Sequence, residues 1–211
     1  MIKSLLLFFI FICVTQHTQN KISKTDNQLI RFYQKEKQIN QKIDSLDKPF
    51  KKFMKDLSIR ESSHRWKIIN KYGYIGKYQF GKEALDAIGY NEVTVGKFVT
   101  SPKEIFPPSK QDSAFYKLCL HNWSIYNNKN LNFVGKKING IEITKSGLLA
   151  AMHLSGVYGT IHYLRSGGEY IPKDGFGTTI EEYLKLFSDH SVKLVSNSNK
   201  NFFNKSKINL V

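Results

Sequence analysis

Glu61 closes an apolar helical stripe. Phe50, Phe53, Met54 and Leu57 stand at relative positions 0, 3, 4 and 7, and the carboxyl follows at 11, which is one face of an α-helix. A carboxyl continuing such a face is partly desolvated, and desolvation penalises the anion. An acid held protonated near neutral pH is what proton delivery to a glycosidic oxygen requires. The plainer reading makes Glu61 a helix-end acid that pairs with Arg60, Arg65 or His64. Other chemistries have weaker claims. The chain has no His/Cys cluster at zinc spacing, no phosphate-cradling glycine loop and no Gly-x-Ser-x-Gly elbow, so no metal and no cofactor are expected.

An acid of this kind needs a helix to carry it and walls to make a groove. The stripe supplies the helix, and Asp56 with Arg60, four apart and off its buried face, is expected to form a solvated pair. Residues 71–81 hold Gly73, Gly76 and Gly81 among Tyr72, Tyr74, Tyr78 and Phe80, too glycine-rich for a helix, so an extended or hairpin element is expected. A short helix over 82–88 closes at Gly89, and 102–108 reads as a loop. Asp112 is a plausible N-cap for a helix whose inner face is Phe115, Leu118, Cys119 and Trp123. Ile138-Asn139-Gly140-Ile141 is an Asn-Gly hairpin. An apolar helix over 144–154 ends at Gly156, and a shorter one over 160–165 ends at Gly167-Gly168. Thr178-x-x-Glu181 and Thr179-x-x-Glu182 both offer capping boxes for a last helix through Phe187. The expected fold class is α+β, mainly α, with one or two small β-hairpins, and no repeats occur.

The whole chain has 211 residues, 41% of them hydrophobic, with 15 Phe, 11 Tyr and 2 Trp. That supports one core of ordinary size and excludes disorder throughout. Two cysteines, Cys13 and Cys119, exclude a disulfide scaffold. Lys and Arg number 32 against 17 acids, a formal charge of +15, which favours an anionic partner: nucleic acid, a membrane surface or an acidic cell-wall polymer. Lys3 followed by the apolar run 5–14 and a polar exit has the layout of a signal peptide over 1–19, so export to a periplasmic or secreted location is expected. Ile12 before Cys13 fits lipid attachment poorly. Residues 20–47 read as a polar or weakly amphipathic helical tether, 48–195 as the folded domain, and 196–211 as a low-complexity tail. Cys119 is then a lone thiol, expected to be buried.

Arg60-Glu61-Ser62-Ser63, with Gly76-Lys77-Tyr78-Gln79-Phe80 after a short interval, resembles the lytic transglycosylase and goose-type lysozyme superfamily. The stretch 148–156, Leu-Leu-Ala-Ala-Met-His-Leu-Ser-Gly, followed by Tyr163-Leu164-Arg165-Ser166-Gly167-Gly168, echoes a third element of that family. The resemblance covers about 50–187 in the right order. It implies a lysozyme-like domain that cleaves the β-1,4 bond between N-acetylmuramic acid and N-acetylglucosamine in peptidoglycan. Glu61 would be the single catalytic acid and then base, and the product would carry a 1,6-anhydro end. Ser62 would hydrogen-bond Glu61 or a sugar substituent, and Gln79 would bind an acetamido group or hydroxyl in the cleft. Tyr78 and Tyr74 would offer ring faces to sugars or pack in the core. The family's Tyr-Asn is replaced by Met152-His153-Leu154, which makes His153 either a substitute polar contact or a core histidine. Tyr183 would line the site from the closing helix.

Alternatives stay open at this level. An inverting hydrolase needs a second carboxylate, for which Asp86, Glu92, Glu104, Asp112, Glu142 and Asp174 are available. A peptidoglycan-binding protein without turnover would gain little from a desolvated acid. A nucleic-acid binder is disfavoured because the lysines are scattered and a leader directs the chain to export. The partners expected are glycan strands and an anionic wall or membrane surface, no nucleic acid, and the protein is expected to be a monomer.

Overall fold

The computed structural model describes residues 26, 27, 30, 31, 34, 36–46 and 48–194. The segment 1–19 expected to be a signal peptide, with Cys13, much of 20–35 and the segment 196–211 expected to be a low-complexity tail lie outside the described residues. The chain divides into two units that part between Ser45 and Leu46. In the first, residues 36–45 are helical. Among the described residues no helix is long and apolar enough to cross a membrane.

The second unit is mainly helical with one small antiparallel sheet. In chain order its elements are α1 (Lys48–Ser62), α2 (Lys82–Ala87), α3 (Val95–Thr100), α4 (Pro102–Ile105), α5 (Pro108–Asn128), β1 (Lys137–Ile138), β2 (Ile141–Glu142), α6 (Lys145–Arg165) and α7 (Ile180–Leu186). The stripe of α1 is inside: Phe50, Phe53, Met54 and Leu57 are all buried. Phe53 meets Phe187 edge-on at 5.8 Å and Phe115 at 5.9 Å, and Phe50 meets Tyr116 at 5.6 Å. Each buried aromatic contributes about 1.5–3 kcal/mol. The stripe therefore locks α1 onto α5 and the end of α7, and it fixes which way Glu61 faces.

Two boundaries differ from the sequence expectation. α5 begins at Pro108, with Pro107 as its N-cap, a full turn before Asp112. Proline at the first helical position costs nothing, because its missing N–H is unused there and its φ is already helical. Asp112 is thereby a residue within the helix whose carboxylate is committed elsewhere. The expected loop at 102–108 contains α4, again with proline at its start, and α3 before it is capped by Thr94 accepting from the Lys97 N–H. The prolines that suggested a loop are helix starters.

Cys119 on α5 is free and buried. Burial alone pushes its thiol far up, so the thiolate that reacts with alkylating agents is absent in the folded state. Peptide mapping after iodoacetamide treatment at pH 8 should leave Cys119 unmodified, and it should become fully labelled once denaturant is added.

The hairpin forms where expected, with Ile138 paired to Ile141 and Asn139 and Gly140 at φ 49° and 75°, the signature of a type I′ turn. Asn139 then acts as a clasp. Its Nδ2 donates to the Gly168 carbonyl at 3.1 Å and to Glu181 Oε1 at 2.7 Å, and the Tyr163 hydroxyl donates to the same carboxylate at 3.1 Å. α6 runs from 145 to 165 but breaks at Gly156, where φ is 69° and ψ is 164°. Only glycine takes that conformation without strain, so the expected stop at Gly156 is a kink between two helical halves. α7 is held by the second of the two expected capping boxes: Thr179 Oγ1 accepts from the Glu182 N–H at 3.2 Å, and Glu182 Oε1 accepts from the Thr179 N–H at 3.1 Å. Leu148, Ile161, Leu164, Ile180 and Leu184 join α6 and α7 in one apolar cluster.

Candidate active site

The segment after α1 folds into tight turns rather than regular strands. Isolated bridges join Ile69 to Ile75 and Ile75 to Phe80, which leaves 76–79 as a turn facing the end of α1. Gly76 sits there at φ 77°, and a Cβ on it would lie 2.5 Å from Gln111 Oε1. Gln111 is fully buried and uses its whole carboxamide. Oε1 accepts from the Lys77 N–H at 2.7 Å, while Nε2 donates to the Trp66 carbonyl at 2.9 Å and the Phe106 carbonyl at 2.8 Å. Lys77, also buried, pairs with Asp112 at 2.8 Å.

This anchoring corrects two sequence expectations. Ser62 is buried, and its hydroxyl donates to the Lys77 carbonyl at 2.9 Å and the Ser58 carbonyl at 3.3 Å; it fastens α1 to the turn and reaches neither Glu61 nor the cleft. Tyr78 is 1% exposed, stacks on Phe115 at 4.4 Å and donates its hydroxyl to Asp112 at 2.6 Å. Its ring is a core ring and offers no face to a ligand. What made it look like a binding residue was its place in the Gly-x-x-Gln segment, but the side chain points the other way.

Glu61 is brought together with Tyr183, His153 and Gln79. Its side chain is 14% exposed, on the wall of a cleft of about 1030 Å³. The Tyr183 hydroxyl donates to Glu61 Oε1 at 2.6 Å. Burial, reinforced by the negative charge of Glu61, pushes the Tyr183 phenol up, so it stays protonated and remains a donor. Arg60 lies 5.9 Å over the Tyr183 ring. His153 Nε2 stands 3.8 Å from the same Oε1, beyond hydrogen-bond length, and contacts the Tyr78 carbonyl at 2.8 Å. A carbonyl can only accept, which assigns the imidazole proton to Nε2 and leaves Nδ1 buried without a partner. Gln79 lines the cleft at φ 50°, an uncommon conformation for a non-glycine residue. Its Nε2 donates to the Gly76 carbonyl at 2.8 Å, and its carboxamide oxygen has no partner among the described residues.

The rest of the lining contains side chains that the sequence did not single out. Tyr158 is 66% exposed and Phe176 59%, both on the cleft. Tyr170, also on the cleft, stacks on His162 at 4.0 Å. Phe176 and Tyr170 sit in glycine-rich loops, and Tyr158 lies just past the Gly156 kink in α6 with Gly159 after it; these glycines are the one local signal that could have marked them. Tyr74 does line the cleft as an exposed ring. The loops on the two sides of the Glu61–Tyr183 pair are joined: Tyr72 donates its hydroxyl to the Gly175 carbonyl at 2.7 Å and meets Phe176 edge-on at 5.1 Å. Of the acids weighed as a second carboxylate, only Asp174 reaches the lining, where its Oδ1 already accepts from the Phe176 and Thr178 N–H groups, both at 2.8 Å. Asp86, Glu92 and Asp112 are paired with Lys82, Lys110 and Lys77. Glu83, not weighed from sequence, lines the cleft as well. Among the described residues no group of three His, Cys, Asp or Glu side chains is placed to hold a metal ion. Comparison with known proteins finds no matching family model, no matching curated protein and no matching solved structure.

Proposed function

We propose that this cleft cleaves the glycan strands of peptidoglycan, as a lytic transglycosylase on a lysozyme-like fold. The observation that carries the reading is the pairing of Glu61 with Tyr183 on the wall of a roomy cleft edged by exposed aromatic rings. One carboxyl oxygen is held by a phenol that stays protonated, and Oε2 has no partner among the described residues. In the reaction, protonated Glu61 gives its hydrogen to the oxygen between C1 of N-acetylmuramic acid and N-acetylglucosamine, and the C1–O bond breaks. The resulting carboxylate takes the proton of the muramic 6-hydroxyl, whose oxygen closes on C1. One bond to C1 is lost and one is formed, and no water is consumed. Exposed rings in the cleft suit the apolar faces of pyranose rings, and the free carboxamide oxygen of Gln79 suits a hydroxyl or acetamido N–H.

A muramidase-type hydrolase is the second reading, favoured by Glu83 and Asp174 on the lining, since either could hold a water for attack at C1. Mass spectrometry of the sugars released from purified peptidoglycan separates the two. Anhydro ends, lighter by one water, support transglycosylation; reducing ends move the assignment to hydrolysis; no release at all removes both. The basic charge is read as attraction to anionic wall polymers outside the cell, with the chain acting as a monomer.

Tyr183→Phe tests the held oxygen. A hydrogen bond to a charged group is worth about 1.5–3 kcal/mol, so kcat should fall about ten- to a hundredfold with KM little changed. A KM effect alone would place Tyr183 among the substrate contacts instead.

A further inference from the structure

The turn 76–79 is fastened from three helices. Ile75 and Phe80 exchange both hydrogen bonds, at 3.0 and 2.8 Å, and close it. α1 reaches the Lys77 carbonyl through Ser62, and α5 reaches the Lys77 N–H through Gln111. α6 supplies the third anchor, His153, whose Nε2 donates to the Tyr78 carbonyl at 2.8 Å. Tyr78 is buried, and among the described residues no other group donates to its carbonyl. A buried carbonyl needs such a partner.

The His153 ring is committed to that one contact. Phe80 and Phe115 meet it edge-on, at 6.1 and 5.5 Å, and Phe115 also stacks on Tyr78. Glu61 Oε1 lies 3.8 Å from Nε2, too far for a hydrogen bond. Nδ1 is sealed in the protein without a partner, which is unfavourable for a buried polar atom. The chain thus tolerates an unpaired buried nitrogen at 153 while placing a rigid donor on one peptide group.

What that peptide group controls is Gln79. The Tyr78 carbonyl and the Gln79 N–H share one plane, so a donor on the carbonyl restricts the backbone at Gln79. Gln79 sits at φ 50°, where a residue other than glycine is strained and stays only if its surroundings over-determine it. Two of the contacts that do so are its own: its N–H and its Nε2 both donate to the Gly76 carbonyl, at 3.1 and 2.8 Å. The third is His153. We propose that His153 is a positioning residue: by holding the Tyr78–Gln79 peptide, it keeps Gln79 in its left-handed conformation and its side chain in the cleft lining that includes Glu61. It acts through Gln79 and passes no proton. This deepens the reading above and rests on it only for what Gln79 binds.

Nitrogen NMR of the histidine rings in the wild-type protein should show His153 with its hydrogen on Nε2 and a bare Nδ1. The Gln79 amide signals should move in His153→Leu and return in His153→Gln, whose terminal amide can donate where Nε2 does. Fragment release from purified peptidoglycan gives a second readout. His153→Leu should raise KM about tenfold, the effect of one lost hydrogen bond, with kcat little changed, and His153→Gln should recover most of it. Gln79→Gly removes the strain together with the carboxamide and should show the same loss. The double variant, His153→Leu with Gln79→Gly, should lose no more than either single one. A hydrogen on Nδ1, unmoved Gln79 signals in His153→Leu, or losses that multiply in the double variant overturn the positioning role; the first of these is read on the wild type and needs no variant to fold. A fall in kcat with KM unchanged, or a displaced pH–rate profile, overturns it too, because either would mean that His153 acts on Glu61 directly. If Glu61→Gln still clears peptidoglycan, the glycosidase reading falls, and the spectra alone decide on His153.

Discussion

Glu61→Gln should abolish release of soluble fragments from purified peptidoglycan, with a loss of about a thousandfold or more. General acid–base catalysis contributes about 10²–10⁴ per group, and here one carboxyl serves both proton transfers, so a single substitution removes both. Glutamine is nearly isosteric, and its carbonyl oxygen can still accept from the Tyr183 hydroxyl that now lies 2.6 Å from Oε1. The buried stripe of α1 is untouched, so the thermal midpoint should stay within a degree or two. Loss of turnover with an unchanged midpoint assigns the effect to chemistry. Wild-type turnover by the variant would end the enzymatic reading of this cleft.

Gln111→Leu should cost about 4 kcal/mol of stability. Leucine fills a similar volume but satisfies nothing, which strands the Lys77 N–H and the carbonyls of Trp66 and Phe106. A buried polar group left unpaired costs about 1–3 kcal/mol, and partial relaxation or water entry offsets some of the sum. For a unit of this size, 4 kcal/mol corresponds to a fall of about 8–16 °C in Tm, readable by differential scanning fluorimetry and by urea unfolding. A fall under about 2 °C would mean that the turn 76–79 is held by its other anchors, the Lys77–Asp112 pair, the Tyr78–Asp112 hydrogen bond and the Ser62 hydroxyl on the Lys77 carbonyl.

The sequence made the carrier of Glu61 legible because periodicity is a local property. Phe50, Phe53, Met54 and Leu57 repeat at helical spacing, and their burial follows. The Asn139-Gly140 turn and the Thr179 capping box are short-range chemistry and read out with similar clarity. What failed was direction. Ser62 ends α1, and one helical step turns it away from Glu61 towards the Lys77 carbonyl; Tyr78 lies beside Gln79, which does reach the cleft, but a one-residue step in a tight turn sends consecutive side chains to opposite sides, and no spacing rule fixes that for irregular backbone. The same limit hid Tyr158, Tyr170 and Phe176, whose place on the cleft depends on the kink at Gly156 and on loops that meet only in three dimensions. The prolines at 102, 107 and 108 were legible but ambiguous, since proline both ends helices and begins them.

The hydrogen bond from Tyr183 to Oε1 has a stereochemical corollary. With Oε1 already accepting from the Tyr183 hydroxyl, Oε2 is the oxygen left open to carry the hydrogen that Glu61 delivers and to take the one it retrieves. On the proposed reading, the departing alcohol and the incoming oxygen therefore visit one side of the anomeric carbon in succession. Configuration at that carbon is retained by a one-handed exchange, and a nucleophile approaching from the far side would find no base waiting in Glu61.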